Sequence, residues 1–163
     1  MIVGSMIKKM NLRCRGRALL AFLSAIAMTA IPARDSIVSA AAPDHIRIVV
    51  VGLRSDSGRV VCTLFHSPKG FPSDDSDAQT MSVPIVDRSG TCDFKVTRDG
   101  KYAAVVFHDE NGDGKFNQNF LGLPEEGYGF SRDASISWRA PHFDEASFDF
   151  DGGTKQQIIH IRY

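Results

Sequence analysis

The chain has 163 residues, 43% of them apolar and 23% charged, with 19 basic side chains balancing 19 acidic ones. That length fits one domain of ordinary size, and the composition excludes a disordered polar chain and a membrane protein of several spans. The charge is distributed unevenly, however, and the imbalance begins at the first residues.

Lys8, Lys9, Arg13, Arg15 and Arg17 open the sequence with no acid among them, and an apolar run from Ala18 to Ile31 follows. A basic n-region, a short apolar h-region and a small-residue exit at Val38-Ser39-Ala40 together define a secretory signal peptide. The apolar run is also shorter than the roughly 20 residues a helix needs to span a bilayer. Residues 1–40 are therefore expected to be cleaved, taking Cys14 with them; a retained anchor helix is the alternative. Residues 41–163 are then expected to form one exported domain, periplasmic or secreted, with no stable membrane span. Removing six basic residues and one acid changes the balance from 19 and 19 to 13 and 18, a net charge of −5. No basic cluster survives, so nucleic acid is excluded as an expected partner.

Beyond Pro43 no window holds a helical apolar period, and short β-rich runs recur instead. The predicted strands are Ile46–Leu53, Arg59–His66, Thr80–Val86, Thr91–Thr97, Tyr102–His108, Ala146–Phe150 and Gln157–Tyr163. Ser55-Asp56-Ser57-Gly58, Asp87-Arg88-Ser89-Gly90 and Arg98-Asp99-Gly100 separate several of them, each ending in a glycine able to take the positive φ that hairpin turns require. Tyr102–His108 is apolar on both phases, which places it mid-sheet. Seven short strands predict an all-β fold, a two-sheet antiparallel sandwich of immunoglobulin-like or transthyretin-like form; a small closed barrel is the alternative. Cys62 and Cys92 fall on the inward phase of their strands. An even pair in an exported chain predicts a disulfide across the core, with two buried free thiols as the alternative. The stretch 108–145 is expected as a long loop, the place where function tends to sit on a β scaffold.

His108-Asp109-Glu110-Asn111-Gly112-Asp113-Gly114-Lys115-Phe116-Asn117 sets oxygen-bearing side chains at every second position before a glycine. Calcium takes six to eight hard oxygens, and this spacing suits it. Asp109, Asn111 and Asp113 are the candidate side-chain ligands, with the Lys115 carbonyl and Asn117 assisting. Phe120 stands where an EF-hand places its bidentate Glu, so Glu125 or Glu126 would have to complete the shell. The alternative is a turn capped by its own Asx side chains, with no metal.

Gly100 to Ser131, GKYAAVVFHDENGDGKFNQNFLGLPEEGYGFS, resembles the hallmark of bacterial secreted proteins grouped as domain of unknown function 2141. Their G-x-Y-A strand corresponds to Gly100–Ala103, their H-D-x-N-x-x-G-x-x loop to His108–Asn117, and their F-L-G-x-P-x-E-G-Y-G-F-S run to Phe120–Ser131. Looser similarity extends from Ile46 to Tyr163. Relatives often carry Asp where this chain has Asn117, which removes a potential ligand charge. The resemblance implies export and a β-rich domain, and it brings no activity and no catalytic residues.

Tyr128, Phe130 and Trp138 are candidate ligand-binding aromatics for a protein, peptide or glycan; the alternative is that the aromatics of this segment pin a glycine-rich loop onto the scaffold. The histidines show no H-x-H or H-E-x-x-H spacing. A metal-assisted hydrolase using His108 and nearby carboxylates is the enzymatic alternative, and it requires a solvent-open pocket beside His108. The expected function is thus a non-enzymatic binding or interaction module whose 108–131 loop takes Ca²⁺, or a structural module whose loop caps itself.

Overall fold

A computed structural model describes residues 43–135 and 139–163; the expected signal peptide lies outside them, as does Trp138. The described chain is nearly all β. Its strands are β1 His45–Val51, β2 Arg59–Phe65, β3 Gln79–Pro84, β4 Ser89–Lys95, β5 Gly100–Asp109, β6 Tyr128–Phe130, β7 Phe148–Phe150 and β8 Thr154–His160. They form a three-stranded sheet in the order β4-β1-β8 and a five-stranded sheet in the order β3-β2-β5-β6, with β7 also paired to β5.

Alternation decides which side chains meet between the sheets. Ile46, Ile48 and Val50 of β1 are fully buried, and they share a core with Cys92 and Phe94 of β4, Val60, Cys62 and Leu64 of β2, and Tyr102, Ala104 and Val106 of β5. Cys62 and Cys92 are joined across this core, with Cα atoms 6.6 Å apart. β5 is apolar on both phases for a second reason. Its other face, with Ala103 and Val105, lies under an outer cluster of Phe65, Phe71, Phe130, Phe143 and Ala146.

Three expectations are corrected. The sheets are not purely antiparallel: β8 runs parallel to β1, with His45 opposite Thr154 and Val51 opposite His160. The chain leaves β7 at the end where β1 begins. Asp151-Gly152-Gly153 then turns it there, with φ of 96° and 73° at the two glycines, so β8 starts beside the first residue of β1. The His45 N–H donates to the Gly153 carbonyl at 2.8 Å, and the Gly153 N–H to Asp44 Oδ1 at 2.7 Å.

Gly90 is not a turn residue. Asp87 and Arg88 carry the positive φ values, 51° and 55°, of a two-residue hairpin between β3 and β4. Gly90 lies inside β4 opposite Val50, where a Cβ would stand 2.8 Å from the Val60 side chain, so the close approach of the sheets excludes a larger residue.

The stretch 108–145 is not one loop. It contains β6, a 3₁₀ turn at Ser131–Asp133 and a short helix, α1, at Phe143–Ala146. β6 escapes a sequence reading because three residues, the middle one Gly129, are too few to show alternation. β6 covers Val105–Phe107 of β5 and β7 covers Gly100–Tyr102. The gap between them is filled by Ser131, whose buried hydroxyl accepts the Ala104 N–H at 2.8 Å and donates to the Ala146 carbonyl at 2.6 Å.

The Cys62–Cys92 bond closes a separation of 30 residues. Replacing both cysteines by alanine is expected to lower unfolding free energy by about 3–4 kcal/mol. Urea denaturation of the double variant, compared with the parent protein, checks this.

Candidate functional site

Asp109 ends β5, and the chain turns around its carboxylate. Asp109 Oδ1 accepts the N–H groups of Gly112 at 2.8 Å and Asp113 at 3.1 Å, while Oδ2 accepts that of Gly114 at 3.0 Å. Smaller Asx turns repeat the pattern: Asn111 Oδ1 accepts the Asp113 N–H at 2.9 Å, and Asp113 Oδ1 accepts that of Lys115 at 2.8 Å. The side-chain amides of Asn111 and Asn117 donate to Asp113 Oδ2 at 3.2 and 3.3 Å. The bond from the Lys115 N–H and these amides hold the Asp113 carboxyl below the usual carboxylate range.

Of the two glutamates expected to fold back, Glu126 does so and Glu125 stays exposed. Glu126, buried, accepts the N–H groups of Glu110 at 3.2 Å and Asn117 at 3.1 Å, which ties the two ends of the loop together. Burial pushes its carboxyl up; the two accepted bonds act in the opposite direction, and the neighbouring Asp109 and Asp113 add to the rise.

The five candidate ligands, Asp109, Asn111, Asp113, Lys115 and Asn117, are therefore brought into one loop. The side-chain oxygens of Asp109, Asn111, Asp113 and Asn117 accept from backbone N–H groups or from one another's side-chain amides. Among the described residues, no three of His, Cys, Asp or Glu converge on a point that suits a metal ion.

His108 is fully buried. Its Nε2 lies 2.7 Å from the Ser57 carbonyl, which can only accept, so Nε2 carries a proton. Nδ1 lies 2.6 Å from the Tyr163 hydroxyl, which itself accepts the Arg54 N–H at 2.9 Å. Glu110 Oε1 also lies 3.4 Å from Nδ1. Arg54 stands 4.5 Å over the Tyr163 ring and grips Glu110 through its Nε at 2.7 Å and a second, shorter contact; this pairing lowers the Glu110 pKa. Both ring nitrogens of His108 are committed, and it lines neither of the two cavities described below. This placement takes His108 out of reach of a substrate.

The aromatic candidates behave differently. Tyr128 and Phe130 lie on the outer face of the five-stranded sheet, in a series of edge-to-face rings. Ring centroids are 5.7 Å apart for Phe107–Phe116, 5.5 Å for Phe116–Tyr128, 6.2 Å for Tyr128–Phe130 and 6.1 Å for Phe130–Phe71. Over them opens a groove of about 740 Å³, walled by Leu123 and Pro124 on one side and by Pro72 on the other, with Thr63, Asp75, Gln118 and Arg139 supplying polar groups. Phe107 and Phe116 were missed from the sequence; the signal was the outward apolar phase of β5, which a one-faced strand would fill with polar residues. Beside the groove, Asn119 Oδ1 accepts the N–H groups of Leu121 at 2.9 Å and Leu123 at 3.0 Å, bracing a turn on which Phe120 is 94% exposed.

Fold and loop together define a disulfide-linked, two-sheet β domain with an Asx-capped connection beside an aromatic groove. A family model for uncharacterized proteins conserved in bacteria, domain of unknown function 2141, matches residues 48–158, and the chain belongs to that family. Neither the curated proteins nor the solved structures yield a significant match. No helix among the described residues is long and apolar enough to cross a membrane.

Asp109 is buried and satisfies three donors at once. Asp109→Ala is expected to lower unfolding free energy by about 2–4 kcal/mol, and Asp109→Asn, which keeps one acceptor oxygen, by less. Denaturant titration of the two variants measures the difference.

Proposed function

We propose that this chain is an exported, non-enzymatic binding module and that its ligand is a glycan held in the aromatic groove over β5 and β6. The groove is the observation that carries the reading. Sugar rings offer an apolar C–H face and a polar edge. A floor of partly exposed rings bordered by Thr63, Asp75, Gln118 and Arg139 offers the complement of both.

Within this reading the Asp109–Asn117 connection is a brace. It fixes Phe116 against Phe107 and Tyr128 through hydrogen bonds internal to the chain. Calcium ordering of the same loop is the competing proposal, and it requires Asp109 to exchange backbone donors for a cation. Export is supported by the disulfide, which suits an oxidising compartment, and by the basic and apolar segments of residues 1–40. We assign the two sheets to an immunoglobulin-like or transthyretin-like sandwich.

An oligosaccharide array followed by calorimetry on any sugar retained tests the proposal. Tyr128→Ala and Phe116→Ala, each in protein that remains folded, are expected to weaken binding at least roughly fivefold. Failure of every oligosaccharide to bind, or affinity unchanged in both variants, contradicts it. Binding of an apolar peptide alone would replace the ligand class.

A further inference from the structure

At the end of the molecule away from Asp109, the space between the two sheets opens into a second cavity of about 390 Å³. β2 and β4 finish there, and β3 and β5 begin. Tyr102 and Asp109 are separated by seven residues of β5, roughly 23 Å of extended strand, so this opening is remote from the capped loop.

Its chemistry follows from the same alternation that builds the core. The inward phase of β2 runs Val60, Cys62, Leu64 and continues to His66. That of β4 runs Cys92, Phe94 and then, beyond the strand, Val96 and Arg98. Across β2, Gln79 stands opposite Leu64. The floor of the cavity is therefore apolar and buried, made of Leu64, Val96 and Tyr102, and the rim is polar and exposed, with His66, Arg98, Lys95, Thr97 and Gln79.

The charge of this rim is one-sided. No Asp or Glu side chain lines it, although acids outnumber bases 18 to 13 over residues 41–163. Among the described residues, moreover, neither Lys95 nor Arg98 has an ion-pair partner, unlike Arg47, Lys69 or Arg139, so both are open to a ligand. Asp99, next to Arg98 in the chain, lies outside the lining. The Tyr102 hydroxyl donates to the Arg98 carbonyl at 2.7 Å, which ties the backbone of that rim residue to the floor.

Unpaired cations above a buried apolar floor, in a cavity of small-molecule size, form a site for a molecule with a charged head and an apolar body. We propose that this opening binds a small amphipathic organic anion. Its carboxylate or phosphate head sits among Arg98, Lys95 and His66, and its apolar body lies on Leu64, Val96 and Tyr102. Arg98 offers a planar fork of donors suited to either head, and Lys95 adds a point charge.

Chemical-shift titration of the purified protein with hexanoate, hexyl phosphate, 1-hexanol and inorganic phosphate tests this. Saturable shifts of the amides of His66, residues 95–98 and Tyr102 are expected with either hexyl anion. 1-Hexanol, which lacks the head, and inorganic phosphate, which lacks the body, are each expected to bind roughly tenfold more weakly or worse. Arg98→Gln is expected to weaken the hexyl anions roughly tenfold, the loss of one charge-assisted contact, and Lys95→Gln to weaken them less. Both positions are exposed, and the dispersion of the variants' spectra reports that they fold. Equal binding of 1-hexanol and hexanoate, undiminished binding in both variants, or shifts confined to residues 105–130 would overturn the proposal. The last result would leave the aromatic groove in use and this opening without a ligand.

Discussion

The Asp109 carboxylate receives three backbone N–H groups within the first turn after β5, and the geometry of the groove is built outward from that point. A buried polar group left without partners costs about 1–3 kcal/mol, and a charged one more, so the Asp109 carboxylate at the end of a central strand must find donors immediately. The next turn supplies them from Gly112, Asp113 and Gly114. Glu126 then receives donors from both ends of the connection, and Phe116 is delivered against Phe107 and Tyr128. The charged residues of this segment and its aromatic residues are thus two parts of one construction, the first holding the second in place.

Much of this was legible in the residues, and what was not has a definite physical cause. β1, β2 and β4 declare themselves by β-rich, alternating segments and β5 by a run that is apolar on both phases, and the alternation aims Cys62 and Cys92 at one another. β6 is three residues long with Gly129 at its centre, too short to show a period. The parallel pairing of β8 with β1 depends on where β7 ends in space, which the strand's own residues do not encode. The D-x-N-x-D-G spacing is ambiguous for a chemical reason: an oxygen placed to coordinate a cation is equally well placed to accept an N–H two to five residues on. Tyr128 and Phe130 were identifiable as candidates. Phe107 and Phe116 required the register of β5 and the path of the loop. His108 entered only the alternative, enzymatic reading, and the fold puts it under Tyr163 with both nitrogens used.

Strand alternation also explains why the two cavities differ. On the outer face of the five-stranded sheet, apolar outward residues meet a loop rich in aromatics, and the result is a ring-lined groove. Between the sheets, the inward phase runs out of apolar residues as β2 and β4 end, and His66 and Arg98 follow on the same phase. The core therefore opens through a basic rim in a domain that is acidic elsewhere. The two surfaces lie on opposite faces of the five-stranded sheet and share no lining residue.

The central claim is that the loop after β5 is held by its own side chains. Amide hydrogen exchange at Gly112, Asp113 and Gly114, followed in calcium and again after chelation, tests it most directly. The account predicts the same protection in both conditions and its loss in Asp109→Ala. Protection that appears only when calcium is present would contradict it.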